Sequence, residues 1–99
     1  MEPNEGAFFC PGRIELDDAA EYLELEFEGL GESFKAEVKL ATERISRHPL
    51  AWSVESGEIR KCLLHRFPYK LLYSIETDHI LILAVAHQHR QPDYWIDRL

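Results

Sequence analysis

Four side chains with acid–base or cationic chemistry follow the last strongly apolar segment of the chain: His87, His89, Arg90 and Tyr94. Alternation along an extended strand end places His87 and His89 on the same side, so one site can hold both rings. Cleavage of a phosphodiester such as RNA without a metal needs a base, an acid and cations that stabilise the anionic transition state. Imidazole, guanidinium and phenol groups at one corner meet those needs, so these four are candidate catalytic residues.

The same four residues also fit a simpler interpretation, as solvent-exposed polar side chains at the end of a sheet. We weight that interpretation above catalysis, because the pattern is not specific. A zinc site is not expected, since zinc takes three or four ligands and neither Cys10 nor Cys62 has a C-x-x-C partner. Both cysteines fall in predicted strands and are expected to be buried thiols. The sequence therefore predicts no metal, no cofactor and no disulfide.

A second basic set lies earlier in the sequence and consists of Arg60, Lys61, Arg66 and Lys70. These residues either form the polar face of two paired strands or bind phosphates or the acidic residues of a partner. The net charge of −7 opposes binding to a phosphate backbone. We therefore predict that this set binds an acidic protein segment, which suits an uncovered sheet with basic rims.

The charge is divided unequally along the sequence. Residues 1–43 carry twelve acidic and three basic side chains, whereas residues 44–99 carry six acidic and eight basic ones and all five histidines. The length and a hydrophobic fraction of 45% predict one domain over residues 1–99 with a single core. The acidic N-terminus and the lack of a long apolar run predict a cytoplasmic protein without a membrane span.

The hydrophobic pattern predicts an α+β fold in which a helical hairpin packs on a small, mainly antiparallel four-stranded sheet. Apolar spacings of three and four predict helices over residues 13–28 and 31–48, joined by a tight glycine turn. The apolar stripes of both helices should be buried against the sheet. The predicted core positions on these stripes are Leu23, Phe27, Phe34, Val38 and Ile45.

The predicted strands flank the hairpin and give the order β-α-α-β-β-β. They cover residues 6–11, 59–66, 69–75 and 80–86. The last of them is apolar at every position, which predicts a central strand that is buried on both faces. Residues 50–57 lack a period and are interpreted as a loop, whereas Pro92 is expected to open a short C-terminal helix.

The aromatic residues of the second half are interpreted as packing residues. Tyr69, Tyr73 and Trp52 are not interleaved with arginines, so we do not expect them to stack on nucleic-acid bases. One hairpin covers only one face of a sheet, and the tyrosines at alternate positions of the strand 69–75 should then line the open face. A surface of this kind favours a partner.

The order and spacing of three segments resemble the toxins of the RelE/ParE superfamily, which includes plasmid-stabilisation toxins. The first segment has a Gly-Leu-Gly turn before a helix that ends at a proline, the second has a Phe-Pro-Tyr corner, and the third closes the sequence. These segments are residues 28–49, 59–69 and 85–95, and the resemblance extends over about residues 8–98. Membership implies a growth-inhibiting bacterial toxin that a cognate antitoxin holds inactive in a hetero-oligomer.

The resemblance implies two possible targets, since one branch of the superfamily cleaves messenger RNA on the ribosome and the other inhibits DNA gyrase. Lys70, Arg90 and Tyr94 lie near functional positions of the nuclease branch. However, Gln88 stands where that branch has an arginine, and residues 52–58 lack its lysines. We therefore favour an interaction toxin that binds a protein such as gyrase over an endoribonuclease. A third hypothesis, an antitoxin-binding domain without toxic activity, stays open.

Overall fold

A computed structural model describes residues 6–8 and 10–89. Two long helices and five strands follow one another in this part of the chain. They are β1 (Gly6–Phe8), α1 (Cys10–Glu26), α2 (Leu30–Arg47), β2 (Val54–Ser56), β3 (Ile59–Leu63), β4 (Tyr69–Ile75) and β5 (Ile80–His87). None of the helices described there is both long and apolar enough to cross a membrane.

The strands form one sheet in the order β1-β5-β4-β3-β2, with parallel pairing between β1 and β5 and antiparallel pairing elsewhere. The helices pack on one face of this sheet, where Phe34, Val38 and Ile45 of α2 share a buried cluster with Leu71 and Tyr73 of β4. Connections between the later strands are too short for crossover helices, which is why these strands run antiparallel. The predicted α+β fold, a helical hairpin on a mainly antiparallel sheet, is confirmed.

Several predicted boundaries differ from the structure near the first helix. β1 ends at Phe8, and α1 begins at Cys10 instead of Arg13. Pro11 is accommodated because the first turn of a helix does not use its N–H groups in intrahelical bonds. Cys10 is therefore helical, and the prediction that it lies in a strand is wrong.

The second half of the chain contains one strand more than predicted. β2 lies within the segment 50–57 that was interpreted as a loop, because a strand of three residues is too short to show a period. β3 ends at Leu63, three residues before its predicted end, and the chain then turns toward β4. The C-terminal helix predicted at Pro92 lies outside the described residues.

Most predicted core positions are buried, and Phe27 is the exception. Its side chain is 73% exposed because α1 ends at Glu26, so the ring lies beyond the part of the helix that faces the sheet. Tyr69 and Tyr73 pack with the core beneath the helices, and the prediction that they line the opposite face is therefore wrong. Their interpretation as packing residues, like that of Trp52, is confirmed.

The turn between the helices is held by Glu24 of α1. Gly29 has a φ of 86°, a left-handed conformation that favours glycine. Because a glycine has no side chain to cap α2, the Glu24 carboxylate takes over that role. It accepts hydrogen bonds from the backbone N–H groups of Gly29 and Gly31, each at 2.9 Å. The hairpin is thereby closed by a side chain that belongs to the preceding helix.

Gly31 packs directly against the backbone of α1, and we expect Gly31→Ala to force the two helices apart. A Cβ atom added at this position would be 2.5 Å from the backbone oxygen of Ala20. The free energy of unfolding should fall by about 2 kcal/mol, the typical cost of overpacking. Glu32→Ala, at the adjacent exposed position, is the control and should change stability by less than about 0.5 kcal/mol. Equal denaturation midpoints for the two variants would contradict this close contact.

Candidate functional site

The turn between β3 and β4 meets the end of β5 at one end of the sheet. The backbone N–H of Gln88 donates a hydrogen bond to the carbonyl oxygen of Pro68 at 2.9 Å. The rings of Tyr69 and His87 lie 5.7 Å apart between their centroids. Arg66 belongs to the same turn. This end of the sheet, which we call the polar corner, therefore combines imidazole, phenol and guanidinium groups.

The two candidate histidines lie together in the polar corner, with ring centroids 5.5 Å apart. The backbone N–H of His89 donates to Nδ1 of His87 at 3.2 Å, which requires Nδ1 to be unprotonated. This nitrogen is therefore already engaged as an acceptor and is not free to act as a general base. Both histidines are exposed, so the arrangement also fits a polar strand end.

The other two candidate catalytic residues, Arg90 and Tyr94, lie outside the described residues. No cluster of three or more His, Cys, Asp or Glu side chains that could hold a metal ion occurs within residues 11–89. Cys62 is a buried free thiol, and burial raises its pKa. It therefore stays protonated at neutral pH, and a thiol in that state is a poor nucleophile.

Arg66 is anchored by a buried carboxylate, Glu37 of α2. The Nε of Arg66 donates to Oε1 at 2.8 Å, and the backbone N–H groups of His65 and Arg66 donate to Oε2 at 2.8 and 3.2 Å. Burial by itself would raise the pKa of Glu37, but the hydrogen bonds from Arg66 and His65 and the guanidinium charge lower it overall. The Arg66 side chain is still 67% exposed, so its outer nitrogens are presented to solvent from a fixed position.

Lys61 and Lys70 share one carboxylate, Glu55 of β2. The Glu55 Oε1 lies 3.5 Å from Nζ of Lys61 and 4.0 Å from Nζ of Lys70. Lys70 is buried, and it therefore does not lie on an open basic rim as the sequence interpretation assumed. Two of the four predicted partner-binding residues are thus tied to the edge of the sheet by the same acidic residue.

The fourth residue of the basic set, Arg60, fastens a loop to the sheet. Its Nη1 donates to the carbonyl oxygen of Trp52, and the hydroxyl of Tyr73 donates to the carbonyl oxygen of Pro49, each at 2.6 Å. Burial raises the pKa of Tyr73 to about 12, so this hydroxyl remains a donor at neutral pH. The two bonds hold residues 49–53 against the ends of β3 and β4.

The fastened loop forms one wall of a groove beside β3. The groove has a volume of about 290 Å³, and α2 and β3 supply its other walls. Its lining includes Arg44, Trp52, Lys61, Cys62, Leu63 and His65. Basic and imidazole groups surround apolar ones there, so the groove suits a segment with acidic and apolar side chains.

Neither Glu37 nor Glu55 is among the residues predicted from the sequence, although each neutralises predicted basic residues. Glu37 lies beside Val38 on the apolar stripe of α2, where a carboxylate must be paired if it is buried. A glutamate at a position of the apolar stripe therefore indicates, from the sequence alone, a buried carboxylate with a basic partner. Glu55 carries no such signal, because it lies in a segment without a period.

Comparison with known proteins supports the resemblance to RelE/ParE toxins that the sequence shows. A family model described as the ParE toxin of the type II toxin–antitoxin system parDE matches residues 14–92. The structure is similar to a chromosomal ParDE toxin–antitoxin system from P. aeruginosa, with a TM-score of 0.69, 15% identity and coverage of 85% of this chain and 95% of that chain.

A second similar structure is the toxin–antitoxin complex RelBE2 from Mycobacterium tuberculosis, with a TM-score of 0.56 and 25% identity. The similarity covers 88% of this chain and 93% of that chain. No curated relative matches the sequence. The family match covers most of the sequence, and the two structures share the helical hairpin and sheet. The chain therefore belongs to the ParE family of type II toxin–antitoxin toxins.

Proposed function

We propose that this toxin arrests growth by binding a protein target of the DNA gyrase class, and that a cognate antitoxin holds it inactive in a cytoplasmic hetero-oligomer. The main support is that the three basic side chains of β3 and β4 are already engaged within the protein. The contacts are Arg60 with the Trp52 carbonyl, and Lys61 and Lys70 with Glu55. A nuclease needs such cations to stabilise charge on its substrate.

The chemistry of the polar corner favours binding over catalysis. Nδ1 of His87 already accepts a hydrogen bond, so this ring is poorly placed to act as a general base. Gln88 supplies no positive charge at the position where the nuclease branch of the superfamily has an arginine. The net charge of −7 further opposes the approach of RNA.

Antitoxin binding is supported by the groove beside β3 and by the exposed face of Arg66. An acidic segment can place apolar side chains in the groove while a carboxylate accepts hydrogen bonds from the outer nitrogens of Arg66. Glu37 holds that guanidinium in place, which lowers the entropy lost on binding. The similar structures from P. aeruginosa and M. tuberculosis are themselves toxin–antitoxin systems.

A ribosome-dependent messenger RNA endoribonuclease is the second candidate. The observation that favours it is the 5.5 Å separation of the His87 and His89 rings, which brings two imidazole groups, the commonest catalytic acids and bases, into one place. An antitoxin-binding domain without toxic activity is the third candidate. Growth arrest on expression of the isolated chain separates this third candidate from the other two.

Expression of the wild-type chain without its antitoxin should reduce DNA supercoiling before translation fails, and His89→Gln should leave that order and the extent of arrest unchanged. A general acid or base raises the rate of a reaction about 10²- to 10⁴-fold, so its removal from a nuclease would weaken the arrest. A binding mechanism transfers no proton and should not respond in this way. His79→Gln, in the turn between β4 and β5, is the matched control. Plasmid topoisomer gels and pulse labelling of new protein provide the measurement. The gyrase hypothesis would be wrong, and the nuclease hypothesis favoured, if the wild type cut messenger RNA on ribosomes and Tyr94→Phe left it intact.

A further inference from the structure

Two imidazole rings lie side by side at the point where β5 ends. His87 is the last residue of β5, and His89 lies in the turn that follows it. Both side chains are exposed, and their ring centroids are 5.5 Å apart with an angle of 39° between the ring planes. Positions i and i+2 of an extended segment project to the same side. The pair therefore presents two nitrogen ligands to the same volume of solvent.

The separation of the two rings is close to the value that one shared metal ion requires. An imidazole nitrogen binds a divalent transition-metal ion at about 2.0–2.1 Å. Since the ring centroid lies about 1.1 Å behind that nitrogen, two rings on one ion have centroids about 4.5–5.2 Å apart for ligand angles of about 90–109°. The observed 5.5 Å exceeds this range by a few tenths of an ångström. Rotation about χ2, a torsion with a broad minimum in histidine, can close that gap.

The backbone of the pair and one of its rings are held in place without an ion. The N–H of Gln88, between the two histidines, donates to the carbonyl oxygen of Pro68 at 2.9 Å. The ring of His87 packs against that of Tyr69 with the centroids 5.7 Å apart, and Tyr69 packs in turn against the buried ring of Phe34 at 5.1 Å. Ligands that are already ordered lose less entropy when they bind. The fold therefore lowers the cost of bringing both imidazoles to one ion.

Little opposes the binding of a cation by this pair. Arg66 belongs to the same polar corner, but its guanidinium charge is paired with Glu37 at 2.8 Å, and the net charge of −7 attracts cations. A ring that binds an ion through Nε2 carries its proton on Nδ1, so the hydrogen bond from the N–H of His89 to Nδ1 of His87 must be given up. At 3.2 Å that bond is at the long end of the usual range, so its loss costs little.

We propose that His87 and His89 bind one divalent transition-metal ion, with Cu²⁺ preferred, through Nε2 of each ring. Imidazole suits copper, nickel and zinc, and the affinity of nitrogen ligands for divalent ions is highest for Cu²⁺. Two protein ligands leave further coordination positions to water, so the ion is held less tightly than at a site with three or four protein ligands. The proposal departs from the absence of a metal that the sequence predicts, because that prediction rests on zinc sites with a complete set of protein ligands.

His89→Gln tests the proposal, with His79→Gln as the matched control. Each variant replaces one imidazole by an amide in a turn next to β5, but His79 precedes the strand and its Nδ1 lies 2.7 Å from Oδ1 of Asp78. Calorimetric titration of the untagged protein with Cu²⁺ should show about tenfold weaker binding by His89→Gln than by the wild type, since one of two linked ligands is lost. His87→Gln should show a similar loss, and His79→Gln should match the wild type.

Electron paramagnetic resonance of Cu²⁺ on the wild-type protein is a second measurement, and it needs no substitution. Coupling to two imidazole nitrogens is expected for the wild type, and coupling to one for His87→Gln and for His89→Gln. Wild-type affinity in both of these variants, an equal loss in His79→Gln, or coupling to a single nitrogen in the wild type would overturn the site. Neither readout depends on growth arrest, so the result is independent of the proposed gyrase target.

Discussion

Val38→Asp is expected to leave the protein unfolded or insoluble. Val38 of α2 is 2% exposed and packs toward the sheet in the same cluster as Phe34 and Ile45. An aspartate at this position would place an unpaired charge among apolar side chains. The cost is on the order of 4 kcal/mol or more, a large part of the stability of about 5–15 kcal/mol that a small domain has. Circular dichroism melts and gel filtration check the result.

Leu40→Asp is the matched control for this substitution. It places the same charge two residues further along α2, at a side chain that is 55% exposed. Solvent hydrates the carboxylate there, so stability should change by less than about 1 kcal/mol. A soluble Val38→Asp variant that melts cooperatively would contradict the placement of α2, and so would equal losses of stability in the two variants.

The helices could be predicted well from the sequence because their packing depends on a local pattern. On α2 the apolar side chains recur at spacings of three and four, and Phe34, Val38 and Ile45 are all buried as predicted. Phe27 fits the same pattern, but the pattern does not reveal where a helix ends. Because α1 ends at Glu26, the Phe27 ring follows the apolar spacing of the helix but still lies in solvent.

β5 shows a second limit of local patterns. Its apolar run predicts a central strand buried on both faces, and this prediction is confirmed by its position between β1 and β4. The register shifts opposite Leu72 and Tyr73, so Leu83 is an extra residue in the strand. As a result Leu83 and Ala84 both belong to a second buried cluster, which also contains Ile59 and Leu72, whereas strict alternation would put them on opposite faces.

The candidate site was the least predictable part because its contacts join distant parts of the chain. Glu37 meets Arg66 29 residues later in the sequence, and His65 and Arg66 by themselves give no sign of this partner. Glu55 lies in a strand too short to be recognised, yet it fixes the environment of two lysines. The basic residues could be recognised in the sequence, and the position of Glu37 on the apolar stripe of α2 indicated a buried carboxylate, but which basic residue each carboxylate meets is seen only in the fold.

The pairing of Glu37 makes the stability of the domain depend on pH. Burial by itself raises the pKa of Glu37, but the hydrogen bonds from Arg66 and His65 outweigh it, and the folded pKa lies below the ordinary value of 4.5. The unfolded chain therefore takes up this proton at a higher pH than the folded protein does. The stabilising contribution is complete above the unfolded pKa and is lost as the pH falls through the folded pKa.

Glu37→Gln should lower the free energy of unfolding by about 2 kcal/mol at neutral pH, a figure that allows for the solvent exposure of Arg66. Glutamine keeps the size of the side chain but replaces one acceptor oxygen by a donor and removes the charge. Glu43→Gln, at an exposed position on the same helix, is the control and should leave stability nearly unchanged. Urea denaturation from pH 7 to pH 3 should show a steeper loss below about pH 4.5 in the wild type than in Glu37→Gln. If the two curves ran parallel, the carboxylate would not be the group that holds the β3–β4 turn and its arginine against α2.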